Sequence, residues 1–367
     1  MATFSTTSDA SAPILNQIAN SVYGGRQAIF VFISPVVIIS ITVIPQEIIK
    51  KYANLLFFLS IVMLFIVTAT NGAAGVKAWV DVIWGYTIQP SEFAKIAFIL
   101  MLAKYLSRTS QPMSNRSEVL RTLLILVVPV AAIVSQGEMG TIIVLVFIFG
   151  VLLFFAGVKL KVLGGLIATL VVFIAIFYII SVTSSSENYR INRILAFFSP
   201  ELYAQNDAYQ QMQSMTAIGS GGRDGVGLFV DGSIYQLNYV PANWTDFIFS
   251  TIGEAFGFIW CTAVIGVYLL LVLRMLYLAA FTKDRFGQLV IIGIMAMFLY
   301  HIFQNIAMTI GAMPITGIPL PFISYGGSNL VSNMVCIGIV LNITKNRSKL
   351  SHPITPQVPS SKRRFFG

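Results

Sequence analysis

The feature that most constrains this chain is a series of long apolar runs that recurs from residue 28 almost to the C-terminus. A transmembrane helix needs roughly 17 to 25 predominantly apolar residues, and nine runs read as spans. They are residues 28–45, 54–70, 90–106, 120–135, 139–157, 162–182, 247–273, 288–311 and 330–343. Only 10% of the 367 residues are charged, whereas soluble domains carry roughly 25%. The sequence therefore predicts an all-α polytopic membrane protein with nine transmembrane helices.

The distribution of charge predicts how these spans are oriented. The Lys and Arg residues cluster in segments on one side of the membrane, namely residues 50–51, 104–121, 159–161, 274–285 and 345–364. The positive-inside rule makes that side cytoplasmic, so we expect the C-terminus inside and any chemistry on the outer face. Because the basic residues lie in short loops, the net charge of +9 does not indicate nucleic-acid binding.

Three parts are expected along the chain. Residues 1–27 form a polar N-terminal segment, residues 28–345 form one membrane domain, and residues 346–367 form a cytoplasmic tail. The membrane domain contains one long external loop, residues 183–246, whose polar and aromatic mixture indicates pieces that lie in the headgroup region. No metal site is predicted, because neither histidine has a second ligand at metal spacing.

A charge pair stands at the start of the third span. Pro90 occupies the first helical turn, where its missing N–H costs nothing, and Glu92 and Lys95 are three residues apart on one helix face. Charges at the edge of an apolar helix are costly unless they are paired or used. Two interpretations stay open, a structural ion pair and a direct role in a site.

A second acid, Glu138, sits in the tight turn between two spans. An acid at that position is well suited to cap the next helix through the dipole and the free amides. Capping is the favoured interpretation, and orientation of a basic partner in a cavity is the alternative.

A third acid, Asp246, lies where the long external loop re-enters the membrane. A carboxylate at such a boundary is partly desolvated, which makes it a better base near neutral pH. Asp is also common as a helix N-cap, so composition does not choose between the two roles. Glu254 follows eight residues later and would share the same helix face, which allows two acids to line one cavity.

Two irregular segments complete the candidate site. The runs at residues 209–214 and 217–223 place hydroxyl and amide donors beside glycines whose backbone amides could form an anion nest for a diphosphate or a sugar. The stretch 313–328 contains three prolines and cannot be a continuous helix. Irregular backbone at membrane depth survives only when it is buried in protein or lines a watery cavity, so this stretch is expected to wall a cleft.

Four elements, taken in this order, resemble the SEDS family of cell-wall proteins, named for shape, elongation, division and sporulation. They are residues 89–95, 213–222, 245–249 and 317–328. The resemblance runs from residue 26 to residue 343, and the glycine- and proline-rich residues 317–321 lean towards the rod-shape branch. Family members normally have one further apolar helix at the N-terminus, which is absent from this sequence.

The resemblance implies a peptidoglycan glycosyltransferase that polymerises lipid II into glycan strands on the outer face of the bacterial inner membrane. It also implies work alongside a class B penicillin-binding transpeptidase. In this family the Asp of the motif at residues 245–249 is essential, and the resemblance therefore implies that Asp246 is the catalytic base.

The candidate substrate-binding residues come from the motifs and from the resemblance together. They are Trp79, Glu92, Lys95, Glu138, Arg190, Gln213, Ser214, Ser220, Gly221, Gly222, Arg223 and Ser324. The leaving undecaprenyl diphosphate needs positive charge or a divalent cation such as Mg²⁺. Lys95, Arg190 and Arg223 are the candidates for that charge, and the cofactor requirement stays open.

Two other functions compete with the enzyme. A lipid II flippase would fit the polytopic helices and the intramembrane charges, and an inactive scaffold for a class B penicillin-binding protein would need no chemistry. A transporter needs polar groups near the midplane, and only His301, Gln304 and Asn305 approach that description. The clustering of the other polar elements on one external face favours the enzyme.

Overall fold

The structure is a computed structural model, and it describes residues 22–68, 78–81, 87–108, 112–166, 168, 197 and 207–349, apart from 229, 238 and 241. The helices in these residues are α1 (Val22–Val43), α2 (Gln46–Thr68), α3 (Pro90–Leu106), α4 (Arg116–Gln136), α5 (Met139–Ala156), α6 (Asp207–Ser220), α7 (Ile248–Ala280), α8 (Arg285–Thr309) and α9 (Gly327–Lys349). Two short strands, β1 (Val80–Asp81) and β2 (Thr87–Ile88), pair antiparallel with Val80 opposite Ile88.

The predicted helical membrane fold is confirmed. Eight of the nine predicted spans coincide with described helices, while most of the span 162–182 lies outside the described residues. Six helices (α2, α4, α5, α7, α8 and α9) are long and apolar enough to cross a membrane. The chain is therefore a multi-pass membrane protein. Helices α1, α2, α7 and α9 extend several residues beyond the predicted spans, because the helices continue past the charged or polar residues at which the predicted spans end.

Helix α8 lies at the centre of the bundle. It packs against α3, α5 and α7. Of its apolar 18-residue segment, 83% is buried, compared with 17% for the corresponding segment of α7. Close approach depends on Gly293, since a methyl group there would come within 2.6 Å of Ile99 Cγ2 on α3. Small residues at such contacts are how membrane helices gain packing energy. This central position lets α8 carry polar side chains to the end of the bundle where residues 311–326 lie.

A corner at one end of the bundle is closed by two side chains. Asn342 on α9 donates from Nδ2 to the carbonyls of Ile41 and Thr42, which are 2.9 and 3.2 Å away, and so satisfies the C-terminal end of α1. Asp284 caps α8 by accepting from the Gly287 N–H at 2.8 Å and from Gln46 Nε2 at 2.7 Å. The hairpin of α1 and α2 is thereby attached to the last two helices.

Two breaks interrupt the helices, and both lie near the predicted site. The segment between α8 and α9 is non-helical, as its prolines predict, and Gly311, Gly317 and Gly326 have positive φ there. Helix α7 is broken at Gly257, which has φ 74° and ψ −171°. The second break was not predicted from the sequence. Below, residues 311–326 are called the external loop of α8–α9, after the side of the membrane on which the sequence predicts them.

Candidate functional site

Asp246 lies immediately before α7 and beside the external loop of α8–α9. The side chain is half-buried, and a methyl group at Gly317 would stand 3.5 Å from its Oδ2 atom. Its backbone carbonyl accepts a hydrogen bond from Asn305 Nδ2 at 2.7 Å. The same Nδ2 atom donates to the carbonyl of Ile318 at 2.8 Å. Residues 244–246 are called the re-entry segment, because the sequence predicts that the chain enters the membrane there. Asn305 thus holds this segment and the external loop of α8–α9 together next to Asp246, the predicted base.

A second set of hydrogen bonds joins the same two segments through Ser324. The Ser324 hydroxyl donates to the carbonyl of Thr245 at 2.6 Å and accepts from the Leu320 N–H at 2.8 Å. The Tyr325 N–H donates to the carbonyl of Trp244 at 2.9 Å. Ser324 is completely buried, so its hydroxyl serves the backbone in this conformation, and its predicted contact with substrate stays a prediction.

The predicted pair of Glu92 and Lys95 is present as a buried ion pair. The Lys95 ammonium lies 2.8 Å from Glu92 Oε1 and 3.1 Å from His301 Nε2 on α8, and the other Glu92 oxygen accepts from the Ser332 hydroxyl at 3.2 Å. Glu92 and Lys95 are only 3% and 2% exposed. Buried charges survive when they are paired and hydrogen-bonded, and here α3, α8 and α9 all supply partners.

Glu138 occupies the N-cap position of α5 but does not cap its amides. Its carboxylate instead accepts from Gln89 Nε2 at 2.7 Å and from the Thr141 hydroxyl at 3.2 Å. Burial raises the pKa of the Glu138 carboxyl above its ordinary value; hydrogen bonds from Gln89 and Thr141 oppose the shift, and the charge of Glu92 adds to it. Glu138 therefore joins the start of α3 to the start of α5.

The glycine cluster after α6 packs against the broken part of α7. A methyl group at Gly221 would meet the Gly253 carbonyl oxygen at 2.0 Å, so the two backbones are in direct contact. Next to this contact, the Val226 and Gly227 amides donate to the carbonyls of Glu254 and Ala255 at 2.9 and 3.0 Å. The glycines thus allow backbone pairing. Gly222 and Arg223 remain exposed, and the predicted anion nest stays a prediction.

Glu254 is a buried hydrogen-bond acceptor for the backbone of residues 234 and 235. Its two carboxylate oxygens accept from the backbone amides of Ile234 and Tyr235 at 2.6 and 3.1 Å, and the residue is 2% exposed. Both carboxylate oxygens thus bind backbone amides of one turn, in the way that a helix-capping carboxylate binds the amides of a helix. The structure gives Glu254 an organising contact rather than the shared cavity with Asp246 that the helix spacing allowed.

Helix α6 packs against the C-terminal end of α8. Gln211 Nε2 donates to the carbonyls of Met308 and Met313 at 3.1 and 2.8 Å, and the Ser214 hydroxyl donates to the carbonyl of Thr309 at 2.9 Å. These bonds satisfy carbonyl groups at the C-terminal end of α8. Ser214 is completely buried, whereas the neighbouring Gln213 is partly accessible.

The remaining predicted residues are spread around this core. Ser220 bonds to its own helix through the Ala217 carbonyl at 2.8 Å, and Trp79 is 48% exposed beside β1. Arg190 lies outside the described residues. The structure therefore brings Asp246 and Ser324 together on one side, and Glu92 with Lys95 on another, while their roles towards substrate stay predictions.

Sequence reasoning missed the part played by α8. His301 and Asn305 are four residues apart on one helix face, and they contact Lys95 and the Asp246 backbone, respectively. Gln304 adds a bond to the Pro314 carbonyl at 3.0 Å. The signal that could have revealed this role was the presence of three polar residues in an otherwise apolar helix. From the sequence they were considered only as the midplane polar groups that a transporter would need. Among the residues that the structure describes, no group of three or more His, Cys, Asp or Glu could hold a metal ion.

Comparison of the sequence with protein families gives one match. The family model of FtsW, RodA and SpoVE, described as cell cycle protein, matches residues 4–349. The chain is 32% identical over 320 residues to the peptidoglycan glycosyltransferase MrdB of Escherichia coli K12, covering 87% of this chain and 85% of that protein. It is 30% identical over 388 residues to the peptidoglycan glycosyltransferase RodA of Treponema pallidum, covering 87% and 88%.

Solved structures share the same architecture. A chain of a peptidoglycan synthase complex, described as coordinating polymerization and crosslinking, matches with a TM-score of 0.74 and 23% identity over 89% of this chain and 91% of that chain. The rod shape determining protein RodA of Thermus thermophilus matches with a TM-score of 0.64 and 23% identity, over 89% and 88%. These two similarities show the common fold.

Proposed function

We propose that this chain, which belongs to the FtsW, RodA and SpoVE family of cell cycle proteins, is a peptidoglycan glycosyltransferase that polymerises lipid II. The observation that carries the proposal is the identity of 32% with the glycosyltransferase MrdB over nearly the whole length of both proteins. The anchored, half-buried position of Asp246 supports it, because a transferase of this kind needs one base at the membrane surface.

In the proposed reaction, the Asp246 carboxylate accepts the proton of the acceptor's sugar 4-hydroxyl. The hydroxyl oxygen forms a bond to the anomeric carbon of the donor sugar while the bond from that carbon to the diphosphate breaks. Undecaprenyl diphosphate leaves with the bonding electrons. A half-buried carboxylate suits this role, since partial removal from water strengthens a base, and the fixed backbone on either side limits its movement.

The charge that compensates the leaving diphosphate is the least defined part of the proposal. Lys95 is paired with Glu92 and lies against His301, so in this conformation its charge acts within the bundle. Arg223 is exposed on the turn after α6 and is the described candidate for direct contact. Stabilisation of developing negative charge by such groups is a large term in transfer reactions.

The location and the partner are proposed as follows. The protein lies in the bacterial inner membrane with its C-terminus in the cytoplasm and its active face outside, because its basic segments mark the cytoplasmic side. A class B penicillin-binding transpeptidase is the proposed partner. The fold similarity to a chain of a complex that combines polymerization with crosslinking supports this pairing.

The test uses purified protein in vesicles with fluorescent lipid II, and the glycan product is separated on a gel. We expect polymer from the wild type, and a rate lower by about 10²- to 10⁴-fold for Asp246→Asn, the usual contribution of a general base. Asp231→Asn is the matched control, because Asp231 is an exposed acid of the same external stretch. The assignment fails if the wild type makes no polymer with or without a transpeptidase, or if Asp246→Asn is equally active.

A lipid II flippase is the second candidate. The buried contact of Glu92 and Lys95 with His301 favours it, because ionisable groups inside a helix bundle are typical of transport pathways. The same vesicles distinguish the two, since fluorescent lipid II in the inner leaflet is protected from an impermeant quencher. A flippase would expose that lipid without making polymer, whereas the polymerase would make polymer irrespective of movement between leaflets.

A further inference from the structure

The side chain of Asn305 occupies an unusual place at the external end of α8. It is completely buried, and its single Nδ2 atom donates to two carbonyls from separate parts of the chain. One belongs to Asp246, 59 residues away along the chain, and the other to Ile318, 13 residues away. An amide nitrogen has two protons, so both are used to join the re-entry segment to the external loop of α8–α9.

We propose that Asn305 is a positioning residue for Asp246, an inference that rests on the proposed glycosyltransferase function. Its side chain donates to the backbone carbonyl of Asp246. It fixes the Asp246 carbonyl relative to Ile318, one residue after Gly317, whose Cα faces the Asp246 carboxylate. The direction of the carboxylate is therefore set by a side chain from the most buried candidate span.

The arrangement is stiff because each end is anchored independently. Asn305 projects from a helix whose window is 83% buried, and on the far side Ser324 bonds both Thr245 and Leu320. Misplacement of a reacting group by about 1 Å costs on the order of 10²-fold in rate. Loss of Asn305 leaves two buried carbonyls without their donor, so the segment would relax even though the carboxylate itself remains.

The first arm of the test measures kinetics with Asn305→Ala. We expect kcat to fall by roughly 10²-fold while KM for lipid II changes less than about threefold, because orientation rather than binding is lost. Asn342→Ala is the matched control, since Asn342 is also a fully buried amide that donates to backbone carbonyls, but at the α1–α2 corner. Both variants are compared for thermal midpoint, and Asn305→Ser, which keeps one donor, should recover part of kcat.

The second arm does not need activity. In Asp246→Cys protein, the rate of thiol modification by a small maleimide reports how freely the segment moves. Adding Asn305→Ala should raise that rate by roughly tenfold, as expected when two hydrogen bonds are lost, and adding Asn342→Ala should not. A cysteine placed by Asp231→Cys is the reference site, where neither change should matter because Asp231 lies exposed elsewhere in the stretch.

The inference is supported if kcat falls with KM preserved and the thiol at position 246 becomes more reactive. It is overturned if Asn305→Ala leaves either kcat or the thiol reaction unchanged, or if Asn342→Ala has the same effects. If the wild type makes no polymer, the proposed function fails on its own, and the thiol arm alone decides whether Asn305 orders the segment. If Asn305→Ala does not fold, Asn305→Ser replaces it in both the kinetic and the thiol-modification experiments.

Discussion

At the scale of single residues, the buried ions of this protein are tolerated because each one has a specific partner. The Lys95 ammonium contacts an acid on its own helix and an imidazole on α8, and the acid accepts a further bond from α9. The Coulomb attraction is strong in an apolar bundle, but so is the cost of taking both charges out of water. Removal of one partner should therefore be worse than removal of both.

The first prediction concerns this asymmetry. Lys95→Met leaves Glu92 buried and uncompensated, and should destabilise the protein by about 3–5 kcal/mol. The double variant Glu92→Gln with Lys95→Met should be closer to the wild type in its thermal midpoint in detergent, because neither charge is then stranded. A single variant as stable as the double variant would contradict the account.

The second prediction concerns Glu138 and pH. Because its folded pKa is raised by burial, the folded state holds the proton more tightly than the unfolded state does. The resulting stability is fully present below the ordinary value of 4.5 and is lost as the pH rises through the raised pKa. The thermal midpoint should thus fall over that range, and Glu138→Gln should flatten the fall. Asp231→Asn removes an exposed acid and should leave the change of the thermal midpoint with pH as it is in the wild type. If Glu138→Gln also showed the wild-type change, the prediction would be refuted.

At the scale of elements, the glycine-rich segment after α6 is organised by contact between backbones. Gly221 and Gly225 lie directly on residues 253–257 of α7, where the helix is broken at Gly257. Glycine is needed because no side chain fits between these segments. The break in α7 exposes the Glu254 and Ala255 carbonyls that the amides of the glycine-rich segment bond. The helix defect and the loop therefore depend on each other.

The third prediction compares two glycines of the same segment. Gly221→Ala would place a methyl group 2.0 Å from the Gly253 carbonyl, so the backbones must separate, and it should cost at least about 1–3 kcal/mol. Gly219→Ala is the matched control, since nothing lies within 4 Å of its added methyl group. The thermal midpoint of Gly219→Ala should match or slightly exceed that of the wild type. Equal losses from both substitutions would show that the close contact is not the cause.

At the scale of the whole molecule, a group of buried polar side chains and a terminal arginine lie at opposite ends of the central helix. The central helix α8 carries His301, Gln304 and Asn305 to the end where α6 and the re-entry segment meet. The arginine that begins α8, Arg285, lies at the opposite end and donates to the Phe155 carbonyl at 2.9 Å. One end of the bundle thus holds the candidate chemistry, and the other holds the basic segments.

The fourth prediction tests the orientation of these two ends. Single cysteines are introduced by Asp231→Cys and Lys159→Cys, both at exposed positions, and intact spheroplasts are treated with a membrane-impermeant maleimide. The cysteine at 231 should react at once, and that at 159 only after lysis, because basic segments remain on the cytoplasmic side. The reverse pattern would invert the proposed active face.

Much of the fold could be predicted because the relevant signals are local. A run of apolar residues long enough to cross a bilayer must form helix to satisfy its own backbone, and prolines at 314, 319 and 321 break that pattern wherever they are placed. The Glu92–Lys95 pair could also be predicted from the sequence, since a separation of three residues along a helix brings two side chains together.

The partners of these groups could not be predicted, because they come from distant parts of the chain. Ser332 lies 240 residues from Glu92, and Asn305 lies 59 residues from Asp246. Glu254 shared a predicted face with Asp246, yet the fold turns its carboxylate to the amides at 234 and 235. Nothing in the spacing of such residues encodes which of many buried donors and acceptors will meet.

The sequence by itself determined a multi-pass helical membrane protein, the ion pair on α3, and Asp246 as the acid at the point of re-entry. The tertiary structure decided what surrounds that acid: an asparagine from the most buried candidate span, a serine from the loop after it, and a glycine beside the carboxylate. The physical reason is that hydropathy is a property of each segment, whereas a hydrogen bond between segments exists only once the bundle has brought them within about 3 Å.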